Sequence, residues 1–512
     1  MEFRQIKFFK HLFHFKRQVY LDHNATTNVS RHVRRTMNRV LKRDYGNPSA
    51  LYGPARRSAE VMEAARQQVA AAIHADAHEI YFTGCATESN NTVLKSLSDH
   101  FYPEKKKIIS LPIEHPSVLN TLEYLQTRGI IVDYSPVDSQ GRVLLDELEK
   151  RIDNDTFLVC CMLANNEIGT IQDIRAVSAL ARRHHVLVLS DCVQALGKIP
   201  IDVHGWEVDY ASFSAHKLYG PKGVGALYVK EGSPLAPLLH GGHQESNMRA
   251  GTESIHNIAG FGAACLDVDE LLSHAEQVRA LKECLIGKLR EIAPGCVVNS
   301  PAAAALANTI SVTFPNQSQA GMMAFLDDRG IAVSAASACS AQEDKPSHVL
   351  KAIGLTDQAA KETIRISLGR ATSARDIRYA VKVFGDFFRN RTAFITTIAP
   401  AQLDEAALFD EQRYILDVRP RLQRRFLPSL PNSHEISFAA IEKYLLRLPT
   451  DKPIVVVCQN GHLSSVVAYY LKSRGFGRVG SLAGGVSGWK RRHGDLYQKY
   501  AGKNIVVLKA EK

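Results

Sequence analysis

VLVLSDCVQ, residues 186–194, begins with four aliphatic residues in a row and places Asp191 just past them. An unbroken aliphatic run of this kind reads as a strand covered on both faces, the sort found inside a parallel sheet. Working outward, comparable runs recur at 79–83 (EIYFT), 107–111 (KIISL) and 157–163 (FLVCCML), with amphipathic helical stretches such as 55–73 between them. Strands alternating with helices predict an α/β fold built on a mainly parallel sheet. Past Leu266 the pattern turns more helical, and NTISVTF (308–314) and TIRISL (363–368) predict the strands of a smaller α+β domain. A short polar stretch then leads into a new unit. It holds a strand ending in Asp-Val-Arg (417–419), a Val-Val-Val strand (455–457), a helix over 464–474 and the segment Leu-Ala-Gly-Gly-Val-Ser-Gly-Trp (482–489). Roughly a hundred residues suffice for an independent α/β domain, and 512 residues are too many for one core. The expected division is an N-terminal extension (1–18), a catalytic unit (19–388, with a large domain near 30–265 and a small one near 266–388), a linker (389–393), a second α/β domain (394–497) and a tail (498–512).

Composition is that of a soluble globular protein, with 45% hydrophobic and 22% charged residues. No apolar run is long enough for a transmembrane helix. Residues 1–18 are basic and aromatic, with Phe3, Ile6, Phe9, Leu12 and Phe13 at helical spacing; they lack the apolar core and cleavage site of a signal peptide. A membrane-surface or partner-binding helix, or one docked on its own domain, fits that pattern. Net charge is +11, without a dense Lys/Arg block interleaved with aromatics, so no dedicated nucleic-acid module is expected. The nine cysteines are odd in number and contain no CxxC pair. With no export signal, a reducing cytoplasm is the expected location. Cys339 and Cys458 lie in Gly/Ala/Ser-rich, loop-like surroundings.

Three segments carry chemistry on the first unit. SFSAHKLYGPKG (212–223) sets Lys217 among small residues before a Gly/Pro turn. An amine held close to a planar ring there can form an imine with an aldehyde. Asp191, at the end of a buried strand, needs a cationic partner, and a protonated pyridine nitrogen would be one; the competing reading is a helix N-cap. FTGCATESNN (82–91) is a strand, a small-residue turn and a helix start, the makings of a phosphate cradle. Together they point to pyridoxal 5′-phosphate.

Residues 19–388 resemble the cysteine desulfurases of the fold-type I, class-V aminotransferase group. The resemblance rests on YLDHNATT (20–27), GNPSALYG (46–53), ATESNN (86–91), EHPSV (114–118), NNEIG (165–169), SAHK (214–217), RAGT (249–252), SACS (337–340) and IRISLGR (364–370). It implies that Lys217 holds the cofactor as an imine, Asp191 pairs with its ring nitrogen, and His115 stacks on the ring and moves protons. It implies phosphate contacts from Ala86, Thr87, Ser214 and His216, and from Thr252 of the other subunit of a homodimer. Gln194 would bond the ring hydroxyl, Asn166 would lie between cofactor and substrate, and Arg365 would grip the L-cysteine carboxylate as a fork. His23 and Cys85 depart from the family pattern, at positions without an assigned role.

Within AASACSAQEDKP (335–346), Cys339 matches the long-loop desulfurase type. Its thiolate would take the substrate's sulfur as a persulfide and carry it to protein acceptors: iron–sulfur scaffolds, tRNA-thiolation enzymes or carrier proteins. A selenocysteine lyase is the alternative within the group. Residues 394–497 resemble a rhodanese-like domain, through Asp-Val-Arg, the loop CQNGHLS (458–464) and LAGGVSGW. Such a loop aims backbone N–H groups and a helix N-terminus at the sulfur of Cys458. Leu463 stands where many active rhodaneses have Arg, and the segment after Asp-Val-Arg is degraded, so thiosulfate turnover is not expected. Three roles remain open for this domain: relay of sulfur from Cys339, docking alone, or independent sulfur transfer.

Overall fold

The computed structural model describes residues 17–335, 346–389, 396–503 and 505–507. Cys339 and nearly all of the N-terminal extension lie outside them. The first unit is organised by a seven-stranded sheet, in the order Ile80–Thr83, Gly225–Val229, Tyr210–Ser214, Leu187–Asp191, Thr156–Cys160, Lys107–Ser110, Ile131–Tyr134. Only Gly225–Val229 runs antiparallel to its neighbours. Its central strands are buried along their length except at Leu187, which is half-buried, and that is why they read as continuous apolar runs.

The sheet's apolar residues, among them Val159, Val188, Phe213 and Ala226, pack against helices such as Gly53–Ala71 and Ile255–Cys265. The strands' carboxyl ends and the starts of helices Ala86–Phe101 and Pro116–Gln126 face one another at a single edge, where open α/β sheets bind ligands.

A four-stranded antiparallel sheet, Ser334–Ala335, Thr363–Ser367, Thr309–Thr313 and Val297–Val298, forms the smaller domain. Helices Ala275–Ile292 and Ala374–Arg389 pack together beside it. Strand Val19–Tyr20 pairs with Ile331–Ala332, so the beginning of the chain belongs to this domain's packing. Arg17 adds an ion pair to Asp376 at 2.7 Å.

The C-terminal unit is a six-stranded, all-parallel sheet in the order Thr396–Ile398, Val479–Leu482, Ile454–Val457, Tyr414–Asp417, Ser433–Glu435, Val506–Val507. It does not hang free. Helix Gln319–Asp328 of the small domain lies on helix His462–Ser473, which follows the Cys458 loop. The Phe325 and Tyr469 rings meet edge to face at 5.9 Å. Tyr469 donates to Asp328 Oδ2 at 3.0 Å and accepts from Arg329 at 2.7 Å. The apolar cluster beneath runs through both domains, from Phe314 and Phe325 to Val456 and Leu471. Among the described residues no helix is long and apolar enough to cross a membrane.

Candidate active site and the Cys458 loop

Ten of the residues singled out above line one cavity of about 300 Å³: Ala86, Thr87, His115, Asn166, Asp191, Gln194, Ser214, His216, Lys217 and Arg365. They come from six loops and strand ends. Asp191 closes strand Leu187–Asp191, and its two oxygens accept from Val193 N at 3.0 Å and Asn90 Nδ2 at 3.1 Å. The same Asn90 amide donates to Ser117 Oγ at 2.9 Å, and Ser117 Oγ lies 2.8 Å from His115 Nδ1. Because His115 Nδ1 also accepts from Ser117 N–H, its remaining proton sits on the other ring nitrogen. Burial holds His115 below the ordinary imidazole range, against the pull of Asp191.

Lys217 Nζ donates to the carbonyls of Asn24 and Ala25, at 2.6 and 2.8 Å. His216 is pushed down to about 4, first by burial and then by Lys217 and Lys222. At the phosphate cradle, helix Ala86–Phe101 begins after Cys85 with no side-chain cap, so its first N–H groups are open to an anion. Strand Gly225–Val229 backs this turn closely: a Cβ on Gly225 would fall 2.7 Å from Cys85 C and 2.9 Å from Ala86 N.

Arg365 is 2% exposed and donates to Asp22 Oδ1 at 2.9 Å and Asn166 O at 3.1 Å, while its Nε has no partner. An orphaned guanidinium N–H beside an open cradle, a strand-end carboxylate and a lysine amine suits a ligand with a phosphate, a ring nitrogen and an amino-acid carboxylate. The donor set and the cavity's size both fit pyridoxal phosphate bearing an amino acid.

Thr252 does not line this cavity within its own chain; it is exposed at the end of a loop tied down by Arg249 to Glu88 at 2.9 Å. Cys85, by contrast, lines the cavity although the sequence assigned it nothing. Sequence reasoning also passed over Asn24. Its carbonyl accepts from Lys217 and Gln194, its Oδ1 accepts from Lys198 and Asn308, and its Nδ2 donates to Asn166 O and Thr309. Lys198 in turn donates to Gln194 Oε1 at 2.6 Å, and burial, with Lys217 nearby, holds its amine well below the ordinary range.

Two buried carboxyls complete the surroundings. Glu114 is raised to about 8 by burial, and Glu167, which lines the cavity, to about 7. Glu167 accepts from Ser347 Oγ at 2.5 Å, and Glu114's carbonyl meets His348 Nε2 at 2.9 Å. Both anchors lie just past the segment that contains Cys339.

In the C-terminal unit, Cys458 follows strand Ile454–Val457 and is 1% exposed. Its Sγ accepts from Gly461 N at 3.2 Å and donates to Ser464 Oγ at 3.3 Å. Gly484 and Gly485 of LAGGVSGW lie directly on this loop. A Cβ on Gly485 would stand 2.3 Å from Cys458 O, and Gly485 holds φ +56°, so no other residue fits. Val486 and Ser487 donate to the carbonyls of Cys458 and Gln459. Behind the loop, the fully buried Arg419–Asp417 pair braces it through Arg419 to Gln459 Oε1 at 3.2 Å. Trp489, also fully buried, donates to Leu403 O at 2.6 Å. Leu463 packs at the edge of the apolar cluster that both domains share.

Residues 19–379 match the aminotransferase class-V family and residues 400–492 the rhodanese-like domain. The chain is 40% identical over 369 residues to the cysteine desulfurase IscS of Dictyoglomus turgidum, covering 72% of this chain and 94% of that one. A solved NifS-like protein is 41% identical, with TM-score 0.69, over 73% of this chain and 100% of the other. SspA, solved in complex with cysteine, is 35% identical, with TM-score 0.62, over 69% and 99%.

Proposed function

The chain belongs to the aminotransferase class-V family and carries a rhodanese-like domain, and from that premise we propose that it is a pyridoxal-phosphate-dependent cysteine desulfurase that passes sulfur to its own C-terminal domain. The observation that carries the first half is the convergence of Lys217, Asp191, His115 and Arg365 on one cavity with an open phosphate cradle. When bound, the cofactor supplies an electron sink next to the substrate's α-carbon.

The protein's residues do the rest. Lys217 would supply the amine that holds the cofactor's aldehyde carbon, and Asp191, fixed by Asn90 and Val193, would pair with its ring nitrogen. Arg365, whose buried Nε has no partner, would meet the substrate carboxylate. His115, neutral and oriented by Ser117, moves protons at its free nitrogen. The Cys339 thiolate takes the substrate's sulfur, so that L-cysteine and one protein thiol become L-alanine and one persulfide. Homodimer formation, with Thr252 completing the partner's phosphate site, belongs to the same reading.

Cys458 then receives that sulfur by thiol exchange and hands it to protein acceptors. Support comes from the intact Cys458–Gly461 bond and from the packing of the Cys458 loop's helix on the small domain. The depth of Cys458 favours one second reading, in which the rhodanese-like domain only docks partners. Measurement of L-alanine released from L-cysteine tests the desulfurase assignment. Wild type should turn over with a yellow cofactor band, and Lys217→Ala should lose both. Colourless wild-type protein that cannot be charged with pyridoxal phosphate would refute it.

A further inference from the structure

A cavity of about 640 Å³ lies where the small domain meets the rhodanese-like domain. Both domains build it. Gln317, Gln319 and Gln358 line one side, and Asn460, Gly461 and Ser465 the other. Gly461 is the residue whose N–H holds Cys458 Sγ at 3.2 Å. A chain of hydroxyls leads from the buried thiol to the same wall. Cys458 Sγ bonds Ser464 Oγ at 3.3 Å, Ser464 lies 2.8 Å from Ser481 Oγ, and Ser465 donates to Ser481 at 3.1 Å. Ser481 and Ser465 both line the cavity.

We infer that this inter-domain groove is the port through which Cys458 exchanges sulfur, and that its acceptor is a thiol carried on an extended, polar stretch of polypeptide. The inference rests on the relay reading above for its sulfur and on the groove itself for the acceptor. Carboxamides both donate and accept, as a peptide backbone does, and they stand on both walls of the groove; Gln319 Nε2 already donates to Thr363 O and Gln358 Nε2 to Glu362, which leaves their oxygens as acceptors. A nucleic-acid strand would need stacked aromatics along a basic track; here Phe387 and Lys361 are accompanied by Glu362. The volume is about twice that of the cofactor cavity (640 against 300 Å³), enough for several residues of extended chain rather than a lone small thiol.

The transfer is balanced without an outside oxidant. The acceptor thiolate attacks the outer sulfur of the Cys458 persulfide, the S–S bond breaks, and its electron pair stays on Cys458 Sγ. The new persulfide is on the acceptor, and the proton taken by Sγ returns through Ser464 from the hydroxyl chain.

The test uses the full-length holoenzyme and mass spectrometry of the Cys458 peptide. Alkylation of uncharged Cys458 by N-ethylmaleimide is timed in wild type, Gln317→Trp and Gln358→Trp, with Leu446→Trp on a fully exposed face as control. The groove tryptophans should each slow alkylation by about tenfold or more and the control should not. Equal rates in all four proteins would overturn the port. In a second arm, Cys458 is charged with inorganic polysulfide, so that the result does not depend on the relay. Transfer to a Gly/Ser-rich peptide with a single cysteine should saturate with peptide concentration, and Gln358→Trp should raise the half-saturating concentration. A rate that stays linear in peptide and matches that to 2-mercaptoethanol would overturn the acceptor class. Failure of L-cysteine to charge Cys458 would count against the relay and leave the port standing on its own two measurements.

Discussion

Glu114 and Glu167 are buried carboxyls whose surroundings favour the neutral form, at about 8 and about 7 against an ordinary 4.5. A carboxyl raised in the fold contributes stability that is complete below its unfolded pKa and is lost as pH rises through the folded one. The folded enzyme should therefore lose stability between pH 4.5 and 8 through these two groups. Glu114→Gln keeps the acceptor for Met162 N–H and removes the ionisation, so it should stabilise the protein above pH 8 by on the order of 3 kcal/mol. Denaturant titrations at pH 5 and pH 9 would check this; a variant less stable than wild type at both pH values would contradict it. Lys198 belongs to the same scale. Lys198→Met removes the donor that orients Gln194 and should weaken pyridoxal-phosphate binding by about tenfold. It should also move the pH at which the bound cofactor's visible absorbance changes, a shift that a merely structural role would not produce. The sequence placed Asp191 past a buried strand and Lys217 before a turn because both effects are local. Asn24 and Lys198 were not legible in that way. The bonds of Asn24 span 174 to Lys198, 284 to Asn308 and 343 to Ser367, and no local pattern reports them.

At the scale of elements, the strand runs announced themselves because burial on both faces leaves only aliphatic choices. The run at 186–190 is strand Leu187–Asp191, and the one at 79–83 is Ile80–Thr83. The antiparallel strand Gly225–Val229 was not read, since a GALYV segment after a Gly/Pro turn has no feature that sets its direction. Helix Gln319–Asp328 was equally silent about its partner. Its sequence, QAGMMAFLDD, is apolar on more than one face, and only the structure shows Phe325 shared between the small-domain core and Tyr469 of helix His462–Ser473. Phe325→Ala should cost about 3–5 kcal/mol through the lost packing. Because the cluster is common to both domains, calorimetry should show the rhodanese-like domain melting apart from the first unit in the variant and together with it in wild type. Separate melting in wild type would show that the shared cluster does not couple the domains.

At the scale of the whole molecule, the order of parts has a physical sense. The cofactor cavity lies at the carboxyl edge of the large sheet, with Ser347 bonded to Glu167 of its lining and His348 to the carbonyl of Glu114. The small domain that continues from helix Gln319–Asp328 toward residue 335 is also the one on which the Cys458 domain is seated. Sequence motifs named both units; their mutual placement was illegible, since it depends on a cluster assembled from residues more than a hundred positions apart, such as Phe325 and Tyr469. A covalent link between two units raises the effective concentration of groups on one in the neighbourhood of the other. The most direct test of the internal relay is to supply cysteine carrying radioactive sulfur to the purified holoenzyme and map labelled persulfides in wild type, Cys339→Ser and Cys458→Ser. Internal relay puts label on Cys458 in wild type, removes it in Cys339→Ser and leaves label accumulating on Cys339 in Cys458→Ser. Label confined to Cys339 in wild type, with alanine and sulfide production unchanged in Cys458→Ser, would contradict it.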